Sequence, residues 1–184
     1  MKKIIFSFLV LLVQVAYSQT SKNFGDFSAV KVYDRINVTV KSSENKIQVK
    51  GDDPDVEIVN KNGELKIRMI PTQLMQGDKA EVTVFYEDIN EIQASQGSKI
   101  TSDGTIDSKM LSITSNEGST LNLQVDVNLL NSKANSGGII NVSGTAEIQD
   151  VLYKFIRNCY VLKSKKPKFK TLASIYLFES DLSA

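Results

Sequence analysis

The chain repeats one short motif three times, and this repeat decides the fold. The copies are IQASQGSKI at Ile92–Ile100, ITSNEGSTL at Ile113–Leu121 and SKANSGGII at Ser132–Ile140. Each copy has Ser or Asn, one further residue, Gly, then Ser or Gly, and an aliphatic residue three places after the first Gly. The corner glycines Gly97, Gly118 and Gly137 lie 21 and 19 residues apart.

A period near 20 residues predicts a β-solenoid. Each turn of such a fold buries its aliphatic residues against the neighbouring turns, and Gly permits the corner between strands. Gly104 and Gly144 recur as secondary corners in the first and third copies, while Val125 takes that position in the second. An ordinary β-sandwich is the alternative, because imperfect copies arise by chance in a chain rich in Ser, Gly and Asn.

The N-terminal half, from Phe24 to Tyr86, predicts short strands. Val30, Val32, Ile36, Val38 and Val40 alternate with polar residues, which indicates a sheet with one buried face. Asn62-Gly63 predicts a hairpin, since both residues accept positive φ. No stretch before Asp150 sustains a helical period for three turns, so the predicted class is all-β, with antiparallel or irregular strands at the N-terminal end.

Residues 1–18 predict a secretory signal peptide. Lys2 and Lys3 precede an apolar run that is short for a membrane span, and the stretch ends in small residues before Gln19. Cleavage is therefore expected between Ser18 and Gln19, with an uncleaved membrane anchor as the alternative. The mature protein is expected in the periplasm, on the outer surface or outside the cell, without an integral membrane segment.

Composition excludes several functions. The 184 residues contain no His, no Trp and one Cys, so Ser-His-Asp hydrolysis, the usual zinc sites and an intramolecular disulfide are ruled out. The net charge of +1 is a cancellation. Segment 1–18 carries +2, segment 19–150 carries −6 and segment 151–184 carries +5.

Several ordered motifs resemble the head GIN domain family over about Phe24–Asp150. They are FGDFSAVKV at Phe24–Val32, NGELKI at Asn62–Ile67, VTVFYEDINEI at Val82–Ile92 and ASQGS at Ala94–Ser98. The family consists of exported proteins, common in Bacteroidetes, that are described as autotransporter adhesins. The resemblance implies a right-handed parallel β-helix-like fold and a cell-envelope or extracellular location. It carries over no catalytic, cofactor or ligand residues.

The tail 151–184 departs from this pattern. It holds none of the 10 Gly but 6 of the 14 Phe and Tyr, and it contains Cys159. One interpretation is an amphipathic helix that caps the solenoid, with Asp150 as its N-cap. Its apolar face would be formed by Leu152, Phe155, Ile156, Cys159 and Tyr160. The favoured interpretation is a lost reading frame near Asp150, because family members usually continue with Gly-rich repeats here.

Two groups of acidic residues are candidates for chemistry. Clustered carboxylates bind Ca²⁺, but the turn acids Asp52, Asp53, Asp55 and Glu57 lack the spacing of a calcium loop, so no metal or other cofactor is predicted. Asp103 and Asp107 are the nearest pair for glycoside cleavage, a reaction that needs two acids across a cleft. We expect no enzyme, because neither the cleft nor a raised pKa is visible in sequence.

Other side chains have structural interpretations. The run Lys163–Lys170 contains five Lys, but an exported chain has little access to nucleic acid, so no such partner is predicted. Asn37 and Asn141 lie in glycosylation-type triplets and are interpreted as strand residues. The aromatic residues Tyr33, Phe85 and Tyr86 are assigned to the core of the sheet rather than to a sugar-stacking platform.

The function predicted from sequence is a non-catalytic, exported adhesin whose Ser, Thr and Asn side chains face polysaccharide or a cell-surface protein. A self-associating envelope scaffold is the second hypothesis, with a homo-oligomer as its consequence. A polysaccharide-cleaving enzyme is the remote third.

Reading the other frames of the gene past codon 150 tests the origin of the tail. Under the frame-loss interpretation, one of them continues the Gly, Ser and Val repeats, and DNA sequencing of the locus shows it directly. Such repeats would exclude the cap, and their absence from all frames would exclude the frame loss.

Overall fold

The computed structural model describes residues 21–22, 24–43, 46–50, 55–72 and 80–154. Eleven strands form one mixed sheet, which confirms the all-β class. The strands are β1 (Ser21–Lys22), β2 (Ala29–Val32), β3 (Asn37–Ser42), β4 (Lys46–Lys50), β5 (Val56–Lys61), β6 (Glu64–Met69), β7 (Glu81–Tyr86), β8 (Glu91–Ala94), β9 (Lys99–Ser115), β10 (Thr120–Asn135) and β11 (Ile139–Lys154). Within these ranges we find no helix with the length and apolar character of a membrane span. The predicted signal peptide lies outside them.

The N-terminal half contains both strand directions. The hairpin of β5 and β6 is antiparallel, and its turn residues Asn62 and Gly63 have φ values of 56° and 79°, which confirms the predicted turn. Strand β4 is antiparallel to both β1 and β7. Strand β2 lies parallel to β6 and β8, and β3 lies parallel to β7 and β9. Antiparallel pairs thus occur in the N-terminal half, as predicted.

The three long strands β9, β10 and β11 are mutually parallel and consecutive in the chain. Four residues, 116–119, connect β9 to β10, and three residues, 136–138, connect β10 to β11. Parallel neighbours normally need a crossover of a dozen residues, so each long strand must bend round until its end lies near its own start. In β9, Ile100 near the start pairs with Val38 of β3, while Ile113 near the end pairs with Ile92 of β8.

An irregularity in the ladder explains why the two repeat spacings differ. Asn122 and Gln124 of β10 are two residues apart, but their partners Thr101 and Thr105 in β9 are four apart. Strand β9 therefore accommodates two extra residues, which equals the difference between spacings of 21 and 19. Gly104 lies in this bulge with a φ of 102°.

The core consists of aliphatic columns that run across the strands. Because the strands are in register, residues at equivalent positions stack on the same face. One column joins Val30, Leu65, Ile92 and Ile113 and continues through Ser132 to Val151, and another joins Val38, Val82, Ile100, Leu121 and Ile140. Each such side chain contributes roughly 1.5–3 kcal/mol when fully buried.

Strand β11 extends past the predicted domain boundary at Asp150. Residues Asp150–Lys154 continue the parallel ladder with Asn131–Asn135, and Val151 is buried. A helix with Asp150 as its N-cap is therefore wrong for this stretch, because its backbone groups pair with β10 instead. The remainder of the tail, with Cys159 and the Lys163–Lys170 run, lies outside the described residues.

Replacing Gly138 by Ala should destabilise the fold more than replacing Gly118 by Ala. A Cβ at Gly138 would lie 2.2 Å from the Ser115 carbonyl oxygen, so backbone must shift, whereas a Cβ at Gly118 meets nothing within 4 Å. We expect a loss of about 3 kcal/mol or more for G138A. For G118A we expect a loss of about 1–2 kcal/mol, because Ala must adopt a φ of 71° there but meets no neighbouring atom. Urea unfolding measures both, and equal losses would contradict the assigned contact.

Candidate functional surface

Four corners with the same backbone conformation organise the sheet. Each contains two consecutive residues with positive φ. The pairs are Asp34-Arg35 at 58° and 62°, Gln96-Gly97 at 56° and 72°, Glu117-Gly118 at 53° and 71°, and Ser136-Gly137 at 49° and 80°. The sequence indicated the last three through their Gly. It missed Asp34-Arg35, which reaches the same conformation without Gly; Asp is one of the residues that tolerate it.

Buried serines bond two of these corners to the end of a neighbouring parallel strand, which is β2 for one corner and β8 for the other. The Ser98 hydroxyl accepts from the Ser95 backbone N–H at 3.1 Å and donates to the Val32 carbonyl at 3.1 Å. The Ser119 hydroxyl accepts from the Asn116 N–H at 3.0 Å and donates to the Ala94 carbonyl at 2.8 Å. The Ser in the repeated motif is therefore used for structure rather than for binding.

A second line of polar side chains also serves the corners. Asn135 donates to the Asn116 side-chain carbonyl at 2.8 Å, and Asn116 donates to the Ser95 hydroxyl at 3.2 Å. Gln93 donates to the same hydroxyl at 3.3 Å. These groups bond to one another at the ends of β8, β9 and β10. The Ser or Asn two places before each corner Gly therefore already has a side-chain partner.

A different line of polar residues faces outward on β7, β3, β9, β10 and β11. We call it the polar row. Its five members are in register and half-buried, and they are Thr83, Thr39, Thr101, Asn122 and Asn141. The Asn141 side-chain amide donates to the Asn122 side-chain carbonyl at 2.8 Å. In the described part of the chain, we find no side-chain hydrogen bond from the three Thr hydroxyls.

A shallow depression of about 360 Å³ lies at the β10–β11 end of the polar row. Seven residues line it, namely Ser102, Asn122, Leu123, Gln124, Asn141, Val142 and Ser143. The bulge in β9 borders it, and there the Ser102 hydroxyl accepts the Gln124 backbone N–H at 2.8 Å. Hydroxyl and amide groups thus occur beside apolar atoms, a mixture suited to hydrogen-bonding a polar organic ligand.

The outward side of β2, β6 and β8 has a different chemistry. Lys31 lies 2.5 Å from Glu64 and 3.3 Å from Glu91, and Lys66 lies 3.1 Å from Glu64. The hydrogen bond to Glu64 raises the pKa of Lys31, and the same bond lowers the pKa of Glu64. This side is occupied by charges that already pair with one another.

The two acids considered for catalysis both lie exposed on β9. Asp103 is exposed and bound to Lys41 at 2.8 Å. Asp107 is exposed and aligned with Asp126, which accepts a hydrogen bond from the Thr145 hydroxyl. In this arrangement Asp103 serves as a salt-bridge partner on an open strand surface.

Two of the four turn acids, Asp55 and Glu57, lie among the described residues. Glu57 binds Arg68 at 2.7 Å, and this hydrogen bond lowers the pKa of Glu57. Asp52 and Asp53 lie outside the described residues, which contain no group of three or more acidic or Cys side chains placed to hold a metal ion.

The aromatic residues are placed as follows. Tyr86 is in the core, and its burial raises its pKa. Phe85 is half-buried with the Lys46 ammonium 4.9 Å from its ring centre, and Tyr33 is also half-buried. The assignment to the core is therefore confirmed for Tyr86 and wrong for Phe85 and Tyr33.

Comparison with known proteins connects the chain to one family. The family described as "Putative auto-transporter adhesin, head GIN domain" matches residues 26–154. No curated protein sequence matches the chain significantly.

Solved structures share the fold. A "putative adhesin" from Bacteroides fragilis NCTC 9343 has a TM-score of 0.64 at 15% identity, covering 83% of this chain and 72% of that one. A "putative adhesin" from Parabacteroides distasonis ATCC 8503 has a TM-score of 0.55 at 18% identity, covering 85% and 77%. A "Putative lipid binding protein" from the same strain has a TM-score of 0.55 at 12% identity, covering 77% and 74%. At these identities the likeness extends to the fold alone.

Two buried serines should respond in opposite ways to Ala. Ser119→Ala removes the hydroxyl that accepts from the Asn116 N–H and donates to the Ala94 carbonyl, while the bond of 2.9 Å between these two backbone groups remains, so we expect a loss of about 0.5–1.5 kcal/mol. Ser132 is 7% exposed, lies in the aliphatic column between Ile113 and Val151, and has no partner for its hydroxyl in the described structure. Ser132→Ala should therefore raise the free energy of unfolding by up to about 1 kcal/mol. Denaturant titration measures the free energy of unfolding of both variants. A loss of stability in Ser132→Ala as large as that in Ser119→Ala would contradict this prediction.

Proposed function

The chain belongs to the head GIN domain family, and on this premise we propose that it is an exported, non-catalytic protein of the cell envelope or cell surface. It acts as an adhesin that presents its polar row to polysaccharide or to another envelope partner. The relatives with solved structures are named as adhesins or as a lipid-binding protein, and none of those names describes an enzyme.

The polar row is the observation that carries this proposal. Five aligned hydroxyl and amide side chains lie on one outward side, and a depression without ionisable lining residues adjoins them. Repeated weak contacts of this kind add up when the partner is itself repetitive, because each contact after the first forms at high effective concentration. A single deep pocket is not needed for such binding.

We infer that the long strands are turns of a right-handed parallel β-helix. The in-register parallel pairing of β9, β10 and β11 and their short connections support this winding. Right-handed crossovers between parallel strands predominate strongly in proteins. The inferred winding continues the polar row from turn to turn.

Export is part of the same proposal. Residues 1–18 act as the signal, cleavage falls between Ser18 and Gln19, and the domain from Gln19 is released into the envelope or beyond. The domain extends at least through Lys154, where β11 ends, and the tail after it is a cap or a frame-shift product.

A self-associating scaffold is the second candidate. Within the described chain β11 pairs on one side, with β10, and it carries the exposed apolar residues Ile139, Ile148 and Leu152. Unpaired strand edges pair readily with other chains. Sedimentation that shows a strict monomer at high concentration would count against this candidate. Polysaccharide cleavage stays a remote candidate, and it requires an activity that disappears in Asp103→Ala or Asp107→Ala.

Adhesion is tested by binding of the purified protein to immobilised envelope polysaccharide and to whole cells. The double variant Asn122→Ala/Asn141→Ala removes the amide pair from the polar row, so we expect it to bind about tenfold more weakly. Asn131→Ala is the matched control, since Asn131 is a half-buried, outward residue at the other end of β10.

A second matched pair lies within β9. Thr101→Ala should weaken binding, and Thr114→Ala should leave it unchanged. Both residues are half-buried, but Thr114 is in register with Gln93 and Lys31 rather than with the polar row. Absence of binding to both polysaccharide and cells would refute the adhesin proposal, as would equal binding by the Asn122/Asn141 variant and its control.

A further inference from the structure

We propose that the ligand of the depression is an uncharged, linear polysaccharide whose chain runs along the polar row, across the strands, with about one sugar unit for each strand. This inference rests on the proposed adhesin function and specifies the chemistry and direction of its ligand.

Charge argues for an uncharged ligand. None of the seven residues that line the depression is ionisable. The neighbouring Asp103 is paired with Lys41 at 2.8 Å. Lys31, on the outward side of β2, is paired with Glu64 and Glu91. A uronic or sialic acid polymer would place carboxylates against a lining that offers no cation, which is unfavourable, since the exposed Lys99, two residues before Thr101, is not among the lining residues.

Spacing argues for a ligand that crosses the strands. Neighbouring strands lie about 4.8 Å apart, so the five-membered polar row spans roughly 19 Å. Within it, each strand contributes one hydroxyl or amide in register with the next. A pyranose polymer presents similar hydroxyl groups at each unit, at a repeat of comparable size. A ligand aligned with β10 would instead meet Asn122, Gln124 and then the charged Asp126.

Hydrogen-bonding capacity fits hydroxyl partners. The hydroxyls of Thr39, Thr83 and Thr101 both donate and accept, as sugar hydroxyls do. The bond between Asn141 and Asn122 fixes two amides at the depression, so less conformational entropy is lost when a ligand binds there. The bulge contributes Ser102 beside them, on the same side as Gln124 and Ser143.

The experiment is a length series measured with the full chain. The probes are neutral gluco-, manno- and xylo-oligosaccharides of two to six units, with oligogalacturonides of the same lengths as charged counterparts. We expect affinity for a neutral series to increase with each unit and to level off at about four or five units, the length of the polar row. The double variant Asn122→Ala/Asn141→Ala should lower that affinity about tenfold, and Asn131→Ala should leave it unchanged.

Each other outcome overturns this inference in a recognisable way. Preference for oligogalacturonides would refute the uncharged ligand, and affinity independent of length would refute the direction across the strands. Failure of every oligosaccharide, with binding to whole cells retained, would refute the polysaccharide ligand while the adhesin proposal stands. Failure of both oligosaccharides and cells would refute the adhesin proposal itself.

Discussion

Each corner of the sheet reverses the chain through two consecutive residues with positive φ, and the long strands depend on that reversal. Most residues avoid this conformation, so it is concentrated where Gly, Asn or a well-supported polar residue permits it. Successive corners also bond to one another, as the Gly97 N–H does to the Glu117 carbonyl and the Gly118 N–H to the Ser136 carbonyl. A corner that moved by one residue would turn every following side chain to the opposite face.

The polar row is a consequence of this fixed register. Because β3, β7, β9, β10 and β11 align residue for residue at their starts, side chains far apart in sequence form one line. The two extra residues of β9 are accommodated after Thr101, so they disturb the ladder beside the row without shifting its members. The same local irregularity borders the depression at the end of the row. Structure and candidate binding surface therefore have a common origin in the backbone.

Sequence predicted the parts of this arrangement that local chemistry decides. The Asn62-Gly63 hairpin and the alternating β-strands could be predicted because each depends on a few neighbouring residues. The corner at Asp34-Arg35 could not, since its conformation is imposed by the flanking strands β2 and β3 and by the Asp34 carboxylate, which accepts the Met69 N–H at 3.1 Å. A polar face of Ser, Thr and Asn was predicted, but the members of the polar row were not: Asn141 stood out only as part of a glycosylation-type triplet. Its alignment with Asn122 and Thr101 depends on strand register. Because β9 contains two extra residues, a single repeat period cannot predict that register.

Strand β9 connects the two halves of the described sheet. Strand β9 pairs with β3 and β8 of the N-terminal half, whereas β10 pairs with β9 and β11, and β11 pairs with β10. In the described ladders β9 alone joins β10 and β11 to the N-terminal half, and β10 and β11 pair with each other at the end of the stack. Because β11 pairs on one side only within the described residues, we expect local unfolding to open this strand, with Asn141 of the polar row, before the strands behind it.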